Sequence, residues 1–482
     1  MSTPRVQTAS DPSESTSARA VHVVTFGCQM NQYDSLLVEG RFRKKGYRLT
    51  GTLEEADVIL FNTCSVRDKA EERVYSWVGA LKAAKEKRPD LVVGVMGCMA
   101  QRAEEEIFER AAHVDLVCGT RQLQNLPELV EEVFERRSTG PEASRARGLL
   151  ETDMDGHVAV DRRGEPYTGG LVGHLAVMRG CDLNCTYCVV PSTRGRVQSR
   201  PIEDLVVEAR WMVAGGARVI TLLGQTVNSY GEDLPKPAPG EARGTGRQGR
   251  ESLADLLRAL QGVEGLERIR LITLHPSYVT PALAAAIAEC DKVDRFLPLP
   301  LQSGSDPVLR RMKRGYNTAL YRHRIGLLRE AVPDIELGSD WIVGFPGETD
   351  EDFELSCAML EEVGFVQNYV FQYSPRPGTR AYDVEDDVPL AVKKERNQRL
   401  LEAARVSALR RMERWIDREV DVFVEDRSPK HAEKLRGRTV HNLPVQFPHP
   451  EGDDTLVGTT QRVVVREASP FGLAGLRVAA EG

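Results

Sequence analysis

Three cysteines lie close together near the middle of the chain, at Cys181, Cys185 and Cys188, with the spacing C-x3-C-x2-C. Thiols this close in sequence form disulfides, bind zinc or bind an iron–sulfur cluster. Structural zinc takes four ligands, whereas this run supplies three. A cubane cluster held by three cysteines, instead of the usual four, would keep one iron open to a small molecule. We therefore favour an open iron–sulfur cluster over zinc or unreactive thiols.

Before this run, the chain alternates short apolar segments with helix-like segments, which predicts a parallel sheet with right-handed crossovers. A cysteine follows each of four successive apolar segments, at Cys28, Cys64, Cys98 and Cys118. Residues at the carboxyl ends of parallel strands meet at one edge of the sheet, where ligands bind. One such cysteine is most simply a small buried core residue, but three at equivalent positions indicate a second metal site. Spacing alone does not exclude Cys118 from that site.

The central part of the chain continues the alternation and suits a partial (βα)6 barrel, with its chemistry at the carboxyl ends of the strands. Glycines and polar side chains follow several predicted strands, where they would let a ligand approach the backbone and would orient it. The same runs also suit ordinary turns and helix N-caps, so both interpretations stay open. The six predicted strands are His174–Met178, Arg218–Leu223, Arg268–Thr273, Arg295–Leu299, Glu336–Ile342 and Val366–Phe371.

Composition describes a globular protein and excludes several classes. Of the 482 residues, 41% are apolar and 28% are charged, and no apolar run approaches the length of a membrane span. The first twenty residues lack the apolar core of a signal peptide and read as a disordered leader. Nine cysteines, an odd number, argue against a secreted disulfide framework. A net charge of −7 gives no global sign of nucleic-acid binding, although a local basic face remains compatible with it.

The carboxyl-terminal part predicts a long helix followed by a small β-barrel. Residues 390–440 contain fourteen Lys or Arg against nine Asp or Glu, a local basic excess that on charge alone favours a solvated helix face. Short alternating strands follow, near Val420–Val424, Arg436–Asn442, Thr455–Arg466 and Leu473–Val478. Two stretches lack periodicity: 138–170 reads as a linker, and 231–250, with five glycines and three prolines, reads as a surface insertion.

The cysteine run and its flanks resemble a known family. Tyr187 before the last cysteine resembles the radical S-adenosylmethionine superfamily, and the continuation Cys188-Val189-Val190-Pro191 with Thr193-Arg194-Gly195 resembles the methylthiotransferases. The contexts of the earlier cysteines, FGCQMN, NTCSVR and GCMA, resemble the amino-terminal domain of that family. The carboxyl-terminal β-barrel is placed like its RNA-binding TRAM domain. The resemblance covers the chain from about Val21 to Val478.

The fold class expected from the resemblance is α/β, with a flavodoxin-like parallel-sheet domain, a partial (βα)6 radical barrel and a small β-barrel. The expected order is a disordered leader at 1–20, the auxiliary-cluster domain at 21–137, the linker at 138–170, the radical core at 171–403 and TRAM at 404–478.

The resemblance also implies two [4Fe-4S] clusters, one on Cys181, Cys185 and Cys188 and the other on Cys28, Cys64 and Cys98, with Cys118 a bystander. The first would bind and cleave S-adenosylmethionine to a 5′-deoxyadenosyl radical, the second would provide sulfur, and a second S-adenosylmethionine would methylate that sulfur. No further catalytic residue is expected. The residues implied in binding S-adenosylmethionine are Tyr187, Gly224, Gln225, Gln302, Ser303 and Gly344.

The implied reaction is methylthiolation of isopentenyladenosine at position 37, beside the anticodon of tRNA. The implied partners are a tRNA anticodon stem-loop, a reductant such as flavodoxin or ferredoxin, and a system that supplies iron–sulfur clusters or sulfur. The protein would be a cytoplasmic monomer without a membrane partner. Other branches of the family act on threonylcarbamoyladenosine in tRNA or on an aspartate of a ribosomal protein. A non-enzymatic alternative is an RNA-binding iron–sulfur redox regulator, against which the open three-cysteine geometry argues.

Overall fold

A computed structural model describes residues 18–65, 68–139, 148–155, 167 and 169–478, so most of the predicted leader lies outside the described residues. The chain divides into two compact units. Unit 1 comprises Met1–Glu165 with Val189–Arg196, and unit 2 comprises Pro166–Cys188 with Val197–Gly482. The segment directly after Cys188, which the sequence analysis places in the barrel, therefore belongs to unit 1.

Unit 1 contains a parallel sheet of six strands within its described residues, in the order β2-β1-β3-β4-β5-β6. This is the flavodoxin-like arrangement, so the predicted fold of this part is confirmed. The strand order changes direction between β1 and β3, and such switch points open a crevice at the carboxyl ends of the strands. The strands are β1 Ala20–Thr25, β2 Arg48–Leu49, β3 Val58–Thr63, β4 Val92–Gly97, β5 Leu116–Cys118 and β6 Leu149–Glu151.

Apolar layers cover both faces of this sheet. Ile59 and Phe61 of β3 pack into one layer, whereas Val58 and Leu60 pack into the other. A strand buried on both faces needs an apolar side chain at every position, which explains the continuous apolar runs in the sequence. The helices of unit 1 are α1 Gln29–Lys44, α2 Asp68–Ala80, α3 Lys82–Lys87, α4 Cys98–Ala103, α5 Glu105–Arg110, α6 Leu126–Ser138 and α7 Val190–Arg194.

One stretch of the predicted linker is a strand instead. Residues Leu149–Glu151 form β6, which pairs in parallel with β5. Leu149 is buried and belongs to one of the two apolar layers. Three residues are too few to produce a detectable alternation of apolar and polar side chains, and this explains why the sequence analysis assigned them to a linker.

Unit 2 contains the predicted six parallel barrel strands, in two sheets of order β11-β10-β7 and β12-β13-β14 among its described residues. A parallel bridge links Ile269 of β11 to Val293, three residues before β12. A short hairpin of β8 and β9 lies beside them. The strands are β7 Val172–Ala176, β8 Met178–Arg179, β9 Gln198–Ser199, β10 Val219–Leu223, β11 Arg268–Leu271, β12 Phe296–Pro298, β13 Glu336–Val343 and β14 Gln367–Gln372.

Helices alternate with the barrel strands, as the sequence predicts. Capping boxes at Ser252 and Thr349 begin two of them, because each hydroxyl and the acidic side chain three residues later satisfy otherwise unpaired backbone N–H groups. The insertion 231–250 consists of turns with a 3-10 segment at Arg247–Gly249. The helices are α8 Ile202–Ala214, α9 Leu253–Gln261, α10 Pro281–Glu289, α11 Asp306–Arg311, α12 Thr318–Ala331, α13 Asp350–Val363 and α14 Leu390–Glu413.

A closed five-stranded barrel ends the described chain, with the strand order β15-β16-β17-β19-β18. Its presence confirms the predicted small β-barrel. Helix α14 leads into it and runs without interruption past residue 404, where the sequence predicts a domain boundary. Among the described residues, no helix is both long and apolar enough to cross a membrane. The barrel strands are β15 Glu419–Arg427, β16 Lys434–Arg438, β17 Pro444–Pro448, β18 Thr460–Ser469 and β19 Gly472–Arg477.

Candidate metal centres

In unit 2, the loop that carries the three-cysteine run follows β8 and is fixed by its backbone. The Cys188 N–H donates to the Cys185 carbonyl at 3.2 Å, which closes a turn. Between these two cysteines, Thr186 donates its N–H to the carbonyl of Met312 and accepts at its own carbonyl from Ala381. The loop is therefore held from both sides, and two of the three thiols are buried.

One of these thiols contacts a residue just after a barrel strand, and a second is linked to another strand end through Arg314. Cys181 Sγ lies 3.4 Å from Thr226 Oγ1, three residues after β10. Cys185 Sγ accepts a hydrogen bond from Arg314 Nη1 at 3.3 Å. Arg314 also donates to the Pro300 carbonyl, just after β12, at 3.4 Å. The loop thus meets the edge of the barrel at which such folds place their chemistry.

Arg314 is a candidate site residue that the sequence analysis missed. It is a buried cation that donates to the Tyr187 hydroxyl at 3.3 Å as well as to Cys185. Burial raises the pKa of the Tyr187 phenol well above its ordinary value, so this phenol stays neutral. A positive charge beside a cluster ligand offsets the negative charge of the thiolates and can hold an anionic group of a bound small molecule. The run Arg314-Gly315-Tyr316 after a short helix gives no signal of this role by spacing.

Of the residues implied in binding S-adenosylmethionine, two glutamines have the structural features that most favour contact with a ligand. Gln225 follows β10, and its Oε1 is buried without a hydrogen-bond partner in the part of the chain that the structure describes. A buried unpaired carbonyl is costly, so a missing ligand is its natural partner. Gln302 has a φ of +73°, a conformation that non-glycine residues seldom adopt and that clusters at functional sites. Direct contact of either glutamine with S-adenosylmethionine stays a prediction.

The other implied residues make contacts that also serve the fold. Gly224 accepts from Thr273 Oγ1 at 2.7 Å, and Gly344 donates its N–H to Glu348 Oε1 at 2.8 Å. The Ser303 hydroxyl accepts from the Ser305 N–H at 3.2 Å within the turn that starts α11. For these three positions the structure therefore provides ordinary turn contacts, and their role toward a ligand stays a prediction.

His275 is a second residue that the sequence analysis missed. It is 2% exposed and packs against the ring of Tyr316, with the two ring centroids 5.2 Å apart. Burial lowers the pKa of His275 to about 2, and the charge of Arg314 acts in the same direction. Its Nδ1 accepts from the Ser277 N–H at 3.3 Å, so the proton of the neutral ring must sit on Nε2. A hydrogen bond with the backbone of Arg314 opposes this lowering of the pKa, but burial outweighs it.

In unit 1, the three predicted ligands of the second site follow adjacent strands at the switch point. Cys28 precedes α1, Cys64 follows β3, and Cys98 is the first residue of α4. A Cβ atom on Gly27 would lie 2.7 Å from the Cβ of Cys64, which shows how closely the turns after β1 and β3 approach. Cys98 lies near enough to Cys28 for their charges to interact. The predicted convergence of these turns is present.

Buried polar groups hold those turns together. The Cys28 thiol donates to Asn31 Oδ1 at 3.3 Å, and Asn31 Nδ2 donates to Asn62 Oδ1 at 2.9 Å. Asn62 in turn donates to the Ser35 hydroxyl at 3.0 Å. Both asparagines are fully buried, so this network fixes the position of α1, with the turn at Cys28, relative to β3.

Cys118 differs from the other three strand-end cysteines. It lies within β5 itself, is fully buried, and packs in the apolar layer that includes Leu116 and Leu123. Burial raises the pKa of the Cys118 thiol, which keeps it in its neutral form. A neutral thiol among apolar side chains is the usual state of a cysteine that serves only packing.

Both cysteine sets have the chemistry that iron–sulfur clusters require. None of the described cysteines forms a disulfide, so each thiol remains available. Thiolates are soft ligands that suit iron–sulfur clusters. The side chains pack against their protein neighbours, and within the described ranges no three Cys, His, Asp or Glu side chains are arranged around a common metal position. The thiol donors and their positions at the ends of strands fit one cluster in each unit, whereas the thiols are not arranged in the geometry of cluster ligands.

Comparison with known families agrees with the two-part architecture. Residues 175–360 match the radical SAM superfamily, and residues 20–119 match the uncharacterized protein family UPF0004. The fold of a solved radical S-adenosylmethionine methyltransferase, TsrM from Kitasatospora setae, is similar, with a TM-score of 0.53 and 15% identity over 76% of this chain and 77% of that one. The family match defines the class of this domain: residues 175–360 form a radical S-adenosylmethionine domain, a class whose cofactors are a [4Fe-4S] cluster and S-adenosylmethionine.

Near-full-length relatives narrow the class further. A tRNA-2-methylthio-N(6)-dimethylallyladenosine synthase from Alkaliphilus oremlandii is 40% identical over 94% of this chain and 91% of its own length. One from Coxiella burnetii is 39% identical over 95% and 99%, and one from Klebsiella pneumoniae is 40% identical over 96% and 93%. The chain belongs to the tRNA-2-methylthio-N(6)-dimethylallyladenosine synthase family, and the predicted methylthiotransferase resemblance is confirmed.

Proposed function

We propose that this protein inserts a methylthio group at C2 of N6-dimethylallyladenosine, at position 37 of tRNA beside the anticodon. The observation that carries the proposal is the near-full-length similarity to synthases of that name, in a chain that has a cysteine set in each of its two units. Attack on an unactivated aromatic C–H bond needs a strong hydrogen-abstracting species, and sulfur must come from a separate donor.

In this proposal Cys181, Cys185 and Cys188 hold the radical cluster. When bound, the cluster supplies the electron that cleaves S-adenosylmethionine to methionine and a 5′-deoxyadenosyl radical. The chain's own residues bind and orient around it. Arg314 holds Cys185 and Tyr187 in place, and Gln225 offers a buried carbonyl to a donor group of the bound small molecule. Burial of the loop excludes water from the reacting atoms.

The second cysteine set, Cys28, Cys64 and Cys98, would hold a second [4Fe-4S] cluster that provides the sulfur. Support comes from the donor chemistry and from the place of the three residues at the switch point of a flavodoxin-like sheet, where such folds bind ligands. The second molecule of S-adenosylmethionine would methylate the sulfur before or after its transfer.

The closed barrel of unit 2 would serve as the TRAM module and contact RNA. Phe471, in the turn between β18 and β19, is 78% exposed, and Tyr369 beside it is 52% exposed. Both line a cavity of about 390 Å³ together with Arg405 and Arg438. Exposed aromatic rings next to arginines are suited to stack unpaired bases, which the anticodon loop presents.

The test of the substrate is mass spectrometry of tRNA nucleosides from a strain in which the gene is deleted. We expect methylthio-dimethylallyladenosine to disappear, with dimethylallyladenosine in its place. The intact gene should restore the product, and a gene in which Cys181, Cys185 and Cys188 are all replaced by alanine should not. An unchanged nucleoside profile in the deletion strain would show that the substrate is wrong.

The test of the cofactor content is anaerobic iron analysis of the reconstituted full chain. Two cubanes predict about eight irons per chain, and about four after either set of three cysteines is replaced by alanine. Cleavage of S-adenosylmethionine should vanish only when the set in unit 2 is replaced. About four irons in the unaltered protein, with cleavage intact, would remove the second cluster from the proposal.

The proposal extends to the cellular setting. A low-potential donor such as flavodoxin or ferredoxin would reduce the radical cluster, and an iron–sulfur or sulfur supply system would renew the second cluster. The protein would work in the cytoplasm, where its tRNA substrate is found, and as a monomer. Analytical ultracentrifugation of the full chain checks the last point.

A further inference from the structure

A buried arginine lies beside the cysteines of unit 1, and it comes from a distant part of the sequence. Arg194 is the last residue of α7, the short helix of the segment Val189–Arg196 that belongs to unit 1. Helix α7 packs against α4, whose first residue is Cys98. The arginine therefore reaches the second cysteine set although its sequence neighbours include the ligands of the first.

The segment is fixed in this position by its backbone. Arg121 donates from Nε to the Arg194 carbonyl at 3.1 Å and from Nη2 to the Arg196 carbonyl at 2.9 Å. The Thr120 hydroxyl donates to the Thr193 carbonyl. Arg121 is itself buried, so these contacts hold the segment firmly against unit 1.

Arg194 is 4% exposed, and its guanidinium group forms one ion pair. Its Nη2 lies 2.9 Å from Oδ2 of Asp34, a fully buried carboxylate on α1. Its other neighbour is the Cys98 thiol, which lies within polar contact, and Cys28 lies within range of its charge. Nη1 has no well-aligned hydrogen-bond partner among the residues that the structure describes.

A buried guanidinium with an unsatisfied N–H group is costly unless a further anion is bound there. Burying the pair of Arg194 and Asp34 also costs several kcal/mol per ion, which simple packing could avoid with apolar side chains. A cluster on thiolates carries net negative charge and accepts hydrogen bonds at its sulfurs. The positive charge of Arg194 and its unpaired N–H group match these two properties of a cluster.

We propose that Arg194 is a positioning residue for the second cluster: it donates to the sulfur at Cys98 and sets the cluster's reduction potential, while Asp34 holds the guanidinium and offsets part of its charge. This inference rests on the proposed second cluster. Reduction adds an electron to the cluster, so a nearby positive charge favours the reduced state and a nearby negative charge opposes it.

The test uses the full chain in which Cys181, Cys185 and Cys188 are alanine, so that any remaining cluster is the second one. Its midpoint potential is measured by a redox titration that is followed by electron paramagnetic resonance, and its iron release to a chelator is timed. In this background we expect Arg194→Gln to move the midpoint to a more negative potential and to speed iron release. Arg194→Lys, which keeps the charge, should restore most of the potential.

Asp34→Asn distinguishes an electrostatic role from a structural one. Loss of the carboxylate leaves the charge of Arg194 fully directed at the cluster, so the midpoint should move to a more positive potential, opposite to Arg194→Gln. Damage to the fold would instead change both variants in one direction. Arg137→Gln is the matched control, because Arg137 forms a partly buried pair with Asp115 at 2.5 Å on another helix of unit 1. It should leave the potential unchanged.

The outcomes separate this inference from the proposal beneath it. If the alanine background binds no iron after reconstitution, the second cluster itself is wrong, and this inference falls with it. If it binds about four irons and Arg194→Gln has the unaltered midpoint and release rate, the role of Arg194 alone is overturned. If both Arg194→Gln and Asp34→Asn shift the potential in the same direction, the electrostatic account is likewise overturned.

Discussion

At the scale of single residues, Arg314 connects the loop that carries Cys181, Cys185 and Cys188 to the barrel, and its hydrogen bonds lead to a prediction. A lysine keeps the charge but cannot reach Cys185 and Tyr187 on one side and the Pro300 carbonyl and Tyr316 hydroxyl on the other, because it lacks the planar fork of the guanidinium. Hydrogen bonds to charged groups contribute about 1.5–3 kcal/mol, so Arg314→Lys should slow S-adenosylmethionine cleavage about tenfold to a hundredfold. Cleavage to 5′-deoxyadenosine in a reduced, reconstituted protein is the measurement.

The matched control is Arg310→Lys, because Arg310 is an exposed arginine in the last turn of α11, the short helix that precedes Arg314. It should cleave S-adenosylmethionine at the unaltered rate. Iron content should remain near the unaltered value in both variants, since neither change removes a ligand. Unimpaired cleavage by Arg314→Lys would show that the forked contact is dispensable.

His275 predicts how stability depends on pH. Its pKa falls from about 6.5 in the unfolded chain to about 2 in the folded protein, because burial and Arg314 oppose its charge. The neutral ring therefore contributes stability that is fully present above pH 6.5 and is lost as the pH falls toward 2. Through that range the contribution should fall by about 1.4 kcal/mol per pH unit.

Urea unfolding of the full chain at pH 7, 6, 5 and 4 measures this effect. His275→Gln removes the titrating group and keeps polar atoms, so its stability should fall less steeply between pH 6 and pH 4 than that of the unaltered protein. His323→Gln is the control, because His323 lies on the outside of α12. Parallel stability curves for the unaltered protein and His275→Gln would contradict the assignment.

Spacing in the sequence reveals residues that act together only when they lie close in the sequence or recur after successive strands. Cys181, Cys185 and Cys188 are close in sequence, and Cys28, Cys64 and Cys98 recur after successive strands, so the sequence itself suggests both sets, and their roles as ligands stay predictions. Arg314, His275 and Arg194 reach their sites from turns and short helices that have no repeated spacing. Their proposed roles depend on contacts with residues that are distant in the sequence. A single sequence shows no pattern from which those contacts can be predicted.

At the scale of elements, the turn between β4 and α4 depends on Gly97. This residue has a φ of +96°, and a Cβ atom there would lie 2.5 Å from Asn62 Oδ1 and 2.8 Å from the Thr63 carbonyl oxygen. Gly97→Ala should therefore reduce the free energy of unfolding by about 3 kcal/mol, from backbone strain and overpacking together. It should also displace Cys98, so that iron binding by unit 1 falls.

Gly79→Ala is the matched control for this variant. Gly79 lies in helix α2 of the same unit, is exposed, and has no atom within 4 Å of an added Cβ. Alanine there should leave stability unchanged or raise it by up to about 1 kcal/mol, because it lowers the conformational entropy of the unfolded chain. Chemical denaturation of both variants gives the comparison, and equal losses of stability would contradict the argument.

Elements that lie in apolar runs were predictable, and short strands outside such runs were not. Most strands of the parallel sheets appear in the sequence as apolar runs, for example β10 and β13. The two- or three-residue strands β2, β6, β8 and β9 are too short to show an alternation of apolar and polar side chains.

At the scale of the whole chain, sequence order and folded units differ at one place that matters for the chemistry. The chain has Cys181, Cys185 and Cys188 in unit 2, then contributes Val189–Arg196 to unit 1, and then returns to unit 2 at Val197. Composition changes mark linkers but do not reveal an eight-residue excursion of ordinary composition. Within the proposed function, one short stretch of the sequence therefore contains the ligands of one cluster and also a residue that lies next to the other cluster.

The carboxyl-terminal barrel leads to the last prediction, on binding of RNA. Phe471 is the most exposed large apolar side chain on this barrel among those that the structure describes, and it lines the same cavity as Tyr369. Stacking of an unpaired base on such a ring contributes about 1–3 kcal/mol, so Phe471→Ala should weaken binding of an anticodon stem-loop about fivefold to a hundredfold. The change removes no charge, so the dependence of affinity on salt should keep its slope.

Two further variants separate stacking from charge and from loss of apolar surface. Arg405→Gln, at the same cavity, should weaken binding and reduce the slope of log affinity against log salt by about 0.7, if the arginine contacts one phosphate of the single-stranded loop. Leu476→Ala removes an exposed apolar side chain of β19 that does not line this cavity, and it should bind as the unaltered protein does. Fluorescence anisotropy at several salt concentrations measures all three. Equal losses in Phe471→Ala and Leu476→Ala would show that the cavity is not the site that stacks a base, because only one of the two side chains faces it.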